Sequence, residues 1–236
     1  MVQSSIEMVD RREHFYESYW SDPATAIPTD DSTTSERKRL LDQALKHFLR
    51  QPSSERHGGK VLDAGCGNGE FTRFIGQCGY EATGIDIAEP AVQAANASLP
   101  GGRFFKCSLE ETLPFHDAEF DAIWNTEVLE HLFDVHATLS EFNRVLREHG
   151  ILILTVPFHG LVKNLFVAIV NFERHFNPYS SHIRFFTKQS LNHSLNQAGF
   201  EILHSRGIGR MWPLYKSIFV IARKVGPSGP PPEIIG

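Results

Sequence analysis

A chain of 236 residues and 26.6 kDa, 41% hydrophobic and 22% charged, is long enough for one α/β domain with elaborations and too short for two ordinary ones. Three cysteines without a CxxC pair, Cys66, Cys78 and Cys107, exclude a disulfide scaffold and a zinc ribbon and point to a reducing, cytoplasmic home. Acidic residues exceed Lys+Arg by 28 to 23, and only the short run Arg37-Lys38-Arg39 concentrates positive charge, so a long nucleic acid is a poor partner.

In chain order, residues 1–10 lack the basic and apolar regions of a signal peptide, so secretion is not expected. An aromatic opening, Phe15-Tyr16-Glu17-Ser18-Tyr19-Trp20, reads as a lid or cap, and the stretch with Pro23 and Pro28 as a loop. Leu40, Leu41, Ala44, Leu45, Phe48 and Leu49 then recur at helical spacing before Pro52 and Gly58-Gly59 close the segment. Strand-like runs at 60–64, 81–87, 103–107, 120–125 and 151–156 alternate with helical patterns at 70–77, 90–98 and 131–147. That alternation predicts right-handed βαβ crossovers and a doubly wound α/β sheet. Residues 157–186, rich in Phe, His and Asn, read as an insertion, followed by a helix at 187–198 and strands at 200–205 and 217–223. The expected organisation is an N-terminal cap and helix over 1–57, a ligand-binding domain over 58–225 containing the insertion 157–186, and a disordered Pro/Gly-rich tail at 226–236. The apolar runs at 151–156 and 165–170 fall short of the roughly 18 residues a membrane-spanning helix needs.

The segment Lys60-Val-Leu-Asp63-Ala-Gly65-Cys66-Gly67-Asn-Gly69-Glu70 runs from a strand through a glycine turn into a helix, whose N-terminus offers backbone N–H groups to a nucleotide. A phosphate-cradling loop would need Gly-Lys-Ser/Thr, which is absent, and a dinucleotide fingerprint would need glycine at position 70, which is Glu. Asp86 lies 21 residues beyond Gly65, where an acid at the tip of the second strand can accept both ribose hydroxyls. The glycine pattern closely resembles motif I of the class I S-adenosylmethionine (SAM)-dependent methyltransferases, with further matches at Cys107-Ser108-Leu109-Glu110 and Phe120-Asp-Ala-Ile-Trp-Asn125. The resemblance implies a Rossmann-like, mostly parallel seven-stranded sheet with a last antiparallel strand, and SAM as cofactor. It further implies that Gly65, Cys66 and Gly67 line the methionine half, Asp63 orients its amino group, Ile87, Ser108 and Leu109 flank the adenine, and Asn125 lies near the sulfonium. Ser108 departs from the Asp that many relatives carry there.

Glu127, Glu130 and His131 follow the fourth strand at i, i+3 and i+4 and would share one helical face, a donor set that suits Mg²⁺, Mn²⁺ or Zn²⁺. The same Glu-x-x-Glu-His string is found in metal-dependent small-RNA 2′-O-methyltransferases, and the ubiquinone-biosynthesis O-methyltransferases are similar here as well. By that resemblance His182, in Ser181-His182-Ile-Arg-Phe-Phe-Thr187, is the fourth ligand. Without a metal, His131, His159 or His182 is the candidate general base. No Asn/Asp-Pro-Pro-Tyr follows strand four and no Pro-Cys nucleophile is present, which leaves oxygen as the leading acceptor. The expected reaction is O-methylation of a small-molecule hydroxyl, a phenol or quinone precursor; the alternatives are a glycan or natural-product hydroxyl, an RNA 2′-hydroxyl, or a non-catalytic partner subunit of the same fold. The apolar stretch at 161–172 reads either as a helix packed on the core edge or as a pocket wall that takes an apolar molecule or touches a membrane surface peripherally.

Overall fold

The computed structural model describes residues 13–21, 33–49, 58–170, 172–175 and 181–231. The expected loops at 22–32 and 50–57, the aromatics Phe176 and Tyr179, and the end of the tail, 232–236, lie outside them. Seven strands form one sheet in the order β3-β2-β1-β4-β5-β7-β6. The chain divides into two compact units, residues 1–114 and 115–236, each described in turn.

In the first unit, residues 13–21 form helix α1. The amphipathic pattern at 40–49 becomes α2 (Thr34–Leu49), with Leu40, Leu41, Ala44, Leu45 and Leu49 buried. Three parallel strands follow, β1 (Gly58–Ala64), β2 (Tyr80–Asp86) and β3 (Arg103–Lys106), with β2 between its partners. They are linked by α3 (Glu70–Gln77) and α4 (Glu89–Ser98), so Asp63, Asp86 and Ser108 all fall at or just past the carboxyl ends of parallel strands. Ligands of open α/β sheets bind at that edge.

The second unit holds β4 (Phe120–Thr126), a 3₁₀ turn (Leu129–His131), α5 (Val135–Val145) and β5 (Leu146–Pro157). Then come α6 (Leu161–Val170), α7 (Phe172–His175), α8 (Lys188–Gln197), β6 (Phe200–Ile208) and β7 (Ser217–Lys224). β4 and β5 are parallel, whereas β7 runs antiparallel to both β5 and β6, as the resemblance implied. Residues 151–156 are buried throughout, the continuous apolar run of a strand covered on both faces. Thr187 and Ser190 close a capping box at the start of α8.

Two expectations are corrected. The helix expected over 131–147 begins only at Val135, where the Asp134 carboxylate accepts the Ala137 N–H. Upstream, the Glu130 carbonyl accepts the N–H groups of Ile183 and Arg184, and the Arg184 guanidinium donates to the Leu132 and Phe133 carbonyls. Carbonyls that would feed an α-helix are thereby taken by residues some fifty positions away. The tail is not disordered at its start. The Asn143 amide donates to the Gly226 carbonyl, Ser140 and Ser228 hydroxyls pair at 2.7 Å, and the Gly229 N–H donates to Gln197.

Candidate functional site

The first unit builds its site on the turn after β1. Gly67 and Gly69 adopt left-handed backbone (φ 51° and 78°), a region L-residues rarely enter. A Cβ on Gly67 would stand 2.9 Å from the Trp20 indole, and one on Gly69 the same distance from Phe104. The amides of this turn are not left open, contrary to the simple picture of a helix N-terminus. Gly65 and Cys66 N–H both donate to the Ile85 carbonyl, Gly69 N–H to the Cys66 carbonyl, and Glu70 N–H to Asn68 Oδ1. Gly67 N–H donates to Asp86 Oδ2 at 2.9 Å, and Ala88 N–H to Asp86 Oδ1 at 3.0 Å. Asp86 therefore locks the turn as well as presenting a carboxylate at the tip of β2, and burial raises its pKa.

Asp63 is buried at the end of β1, with Oδ2 accepting from the Thr72 hydroxyl at 2.6 Å and Oδ1 lacking a hydrogen-bond partner among the described residues. Burial lifts its carboxyl to about 7, against the lowering effect of Thr72. A buried, half-satisfied carboxylate in a strand-edge turn fits the ammonium of the cofactor's methionine half. The Cys66 side chain packs with Val92, Ala95 and Phe104, and its burial pushes the thiol well up. The Cys66 thiol donates to the Gly67 carbonyl at 3.6 Å, so its side chain braces the turn as well. Ile87 follows Asp86 and is partly exposed; Ser108 and Leu109 are buried in the turn after β3, where the Ser108 hydroxyl accepts the Glu110 N–H.

The aromatic opening meets this turn. Trp20 of α1 stands over Gly67, and Lys106 at the end of β3 pairs with Glu13 and, at 3.0 Å, with Glu17. Sequence reading singled out the aromatic segment but not Lys106, because an ion pair across some ninety positions leaves no local pattern.

In the second unit Asn125 is buried at the end of β4, opposite Leu154. Glu130, His131 and His182 come together, each offering a ligand atom within 4.8 Å of the others. Glu130 is fully buried, its Oε1 lies 3.8 Å from His131 Nε2, and the His131 and His182 rings meet edge-on at 4.9 Å. His131 Nδ1 sits 2.9 Å from the Ser181 carbonyl. A carbonyl only accepts, so Nδ1 carries the proton and Nε2 turns its lone pair toward Glu130 and His182. Burial lowers the His131 pKa to about 4, keeping the ring neutral.

Glu127 does not share that face. With no α-helix at 127–131, the i, i+3, i+4 geometry is lost, and Glu127 adopts left-handed backbone (φ 52°). Its N–H donates to the Thr155 carbonyl and its Oε1 accepts the Thr155 hydroxyl at 2.8 Å. His159 is also outside the group: it is buried, its N–H donates to Phe186, and its ring packs on Phe185 at 4.8 Å. Two groups escaped the sequence reading, Thr155, which positions Glu127, and Lys163, which donates to the Phe158 and Lys216 carbonyls. Burial, then the nearby Arg210, lowers the Lys163 pKa to about 8, opposed by Glu127.

A methyltransferase-domain family model matches residues 34–205. The chain belongs to the class I SAM-dependent methyltransferases. It is 30% identical to a probable SAM-dependent methyltransferase of Mycolicibacterium smegmatis, over 79% of this chain and 72% of that one. It is 26% identical to a ubiquinone biosynthesis O-methyltransferase of Rhizobium leguminosarum, over 93% of each. Against other curated relatives, malonyl-[acyl-carrier protein] O-methyltransferases among them, the chain spans about half their length. Burkholderia thailandensis 1,6-didemethyltoxoflavin-N1-methyltransferase, solved with S-adenosylhomocysteine, shares the fold at a TM-score of 0.68 and 22% identity, covering 93% of this chain and 90% of that one. Among the described residues no helix of this methyltransferase is long and apolar enough to cross a membrane.

Proposed function

We propose that this methyltransferase acts in the cytoplasm on a hydroxyl oxygen of a small molecule, a phenol or quinone precursor of lipophilic character. The observation that carries oxygen as the acceptor is the convergence of Glu130, His131 and His182, because a hydroxyl must lose a proton as it is methylated and this group can take or weaken one. When bound, SAM supplies an electrophilic methyl on a sulfonium, and a divalent cation would lower the pKa of the hydroxyl. Mg²⁺, Mn²⁺ or Zn²⁺ suits one carboxylate and two imidazoles, and the Ser181 carbonyl on His131 Nδ1 is the outer support that metal-bound histidines usually have. Three protein ligands leave positions open for the acceptor oxygen. If no metal is held, His131 Nε2 is the acceptor of the proton, with His182 beside it.

The chain's own residues do the rest. Asp86 accepts from the ribose hydroxyls, Asp63 Oδ1 from the amino group, and Gly65 and Gly67 leave the turn bare for close approach. Ile87, Ser108 and Leu109 border the adenine, and Asn125 the sulfonium. The likeness to the ubiquinone biosynthesis O-methyltransferase supports oxygen chemistry. The acidic balance weighs against RNA, and a glycan or natural-product hydroxyl is the second reading. The three cysteines are thiols, which supports a reducing compartment. Methyl-labelled SAM offered with pools of phenols, sugars and short RNAs is expected to label a phenolic or other small-molecule ether; label confined to nitrogen or carbon positions would overturn the reading.

The Asp63 assignment has a pH signature. Its folded pKa, about 7, lies above the ordinary value of 3.8, so its contribution to stability is full below the unfolded value and is lost as pH rises through about 7. An ammonium partner needs the ionised form, so cofactor binding runs the opposite way. Calorimetry should show S-adenosylhomocysteine affinity falling by up to about tenfold per unit as pH drops below about 7, with the slope absent in Asp63→Asn. A flat profile in the native chain would remove Asp63 from the ammonium site.

A further inference from the structure

Helix α1 crosses the carboxyl edge of the first unit's strands. Glu13, Tyr16, Glu17 and Trp20 stand at i, i+3, i+4 and i+7 on one face and are half-buried, whereas His14, Phe15, Ser18 and Ser21 are exposed. Glu13 and Glu17 converge on the Lys106 ammonium at the end of β3, Glu17 at 3.0 Å. One turn further on, the Trp20 indole stands over Gly67, 2.9 Å from where a Cβ would sit. The helical rise from Glu13 to Trp20 is about 10 Å, and β3 and β1 are two strand spacings apart, also about 10 Å, with β2 between them. The helix is therefore pinned at β3 and ends over the glycine turn after β1, having passed the strand whose tip carries Asp86.

The indole is not a core side chain. It remains half-buried beside a turn whose glycines present bare backbone, so it offers apolar surface that a molecule seated on the turn would cover. Other rings hold it in place: Tyr19 meets Trp20 edge-on at 6.4 Å, and Phe15 stacks on Tyr19 at 6.5 Å. At the far end of the helix the hydrogen bonds of Glu13, then Glu17, raise the Lys106 pKa, so the ammonium stays charged at neutral pH. Lys106 and its two carboxylates are each about one-third exposed, which makes the contact sensitive to salt.

We propose that Trp20 is a cofactor-binding residue, the outer wall of the methionine half of the site, and that Lys106 is a positioning residue that latches α1 over the cofactor through Glu13 and Glu17. The proposal rests on the reading that Asp63, Asp86 and the glycine turn hold SAM. Trp20→Ala is expected to weaken S-adenosylhomocysteine binding about tenfold, the loss of roughly 55 Å² of apolar contact, and Trp20→Phe to recover most of it. Lys106→Met should speed release of labelled S-adenosylhomocysteine by up to about fivefold per ion pair lost, and should remove the acceleration that added salt causes in the native chain. Because Lys106 acts through the indole, the Trp20→Ala/Lys106→Met double variant should release the ligand no faster than Trp20→Ala alone. A latch that only supported the fold would lower the thermal midpoint and add its effect to that of Trp20→Ala. Trp20→Phe supplies a second reading: S-adenosylhomocysteine should change the tryptophan emission of the native chain and leave that of Trp20→Phe unchanged. Native or tighter binding by Trp20→Ala, additive release rates in the double variant, or a full emission response from Trp124 and Trp212 alone would each overturn the proposal, while binding by the native chain keeps the cofactor reading in place. A native chain that binds no S-adenosylhomocysteine overturns the cofactor reading, and the wall with it.

Discussion

Asp86→Ala is expected to weaken SAM and S-adenosylhomocysteine binding by about 1.5–3 kcal/mol, the scale for hydrogen bonds to a charged group, or roughly 12- to 160-fold in Kd. Two roles meet in this residue. Its oxygens accept from Gly67 and Ala88 N–H, holding the glycine turn, and the same carboxylate stands at the tip of β2, where we propose that it meets the ribose hydroxyls. Asp86→Asn separates the roles. The amide keeps one oxygen acceptor but loses the charge, so it should fall between the native chain and Asp86→Ala. Thermal unfolding of the unliganded variants reads the loop-holding role by itself. Calorimetry showing undiminished binding by Asp86→Ala would remove Asp86 from the cofactor site.

Chelation should abolish turnover while S-adenosylhomocysteine still binds, because the proposed metal ligands Glu130, His131 and His182 are distinct from Asp63 and Asp86, the residues proposed to hold the cofactor. His182→Ala is expected to lower metal affinity by roughly 10- to 100-fold or more, comparable at least to disturbing a metal's outer support, and to regain part of its activity at high metal concentration. Glu127→Gln should cost less metal affinity than Glu130→Gln, since Glu127 is held by Thr155 and stands outside the group. Full activity of a demonstrably metal-free preparation in excess chelator would refute the metal site and return the proton-accepting role to His131. In that case His131→Ala should recover as pH rises and the acceptor hydroxyl ionises unaided.

The α/β alternation, the three glycines of the turn in left-handed backbone and the acid 21 residues on were legible in the linear chain because residue type and spacing alone carry them. A strand covered on both faces must read as an apolar run, as 151–156 does, and a turn too crowded for Cβ atoms must read as glycine. Tertiary contacts decided the rest. Glu127, Glu130 and His131 had helical spacing, yet Thr155 holds both the N–H and the carboxylate of Glu127, which sits in left-handed backbone before a 3₁₀ turn, so the carboxylates parted and only Glu130 joined the histidines. The Pro/Gly composition of the tail signalled disorder, but α5 and the end of α8 supply Asn143, Ser140 and the Gln197 carbonyl to hold residues 226–229. Periodicity told that α6 has apolar rows without telling which way they face. That orientation follows from Lys163 reaching the Lys216 carbonyl 53 positions away, a hydrogen bond that exists only once β5 and β7 have paired.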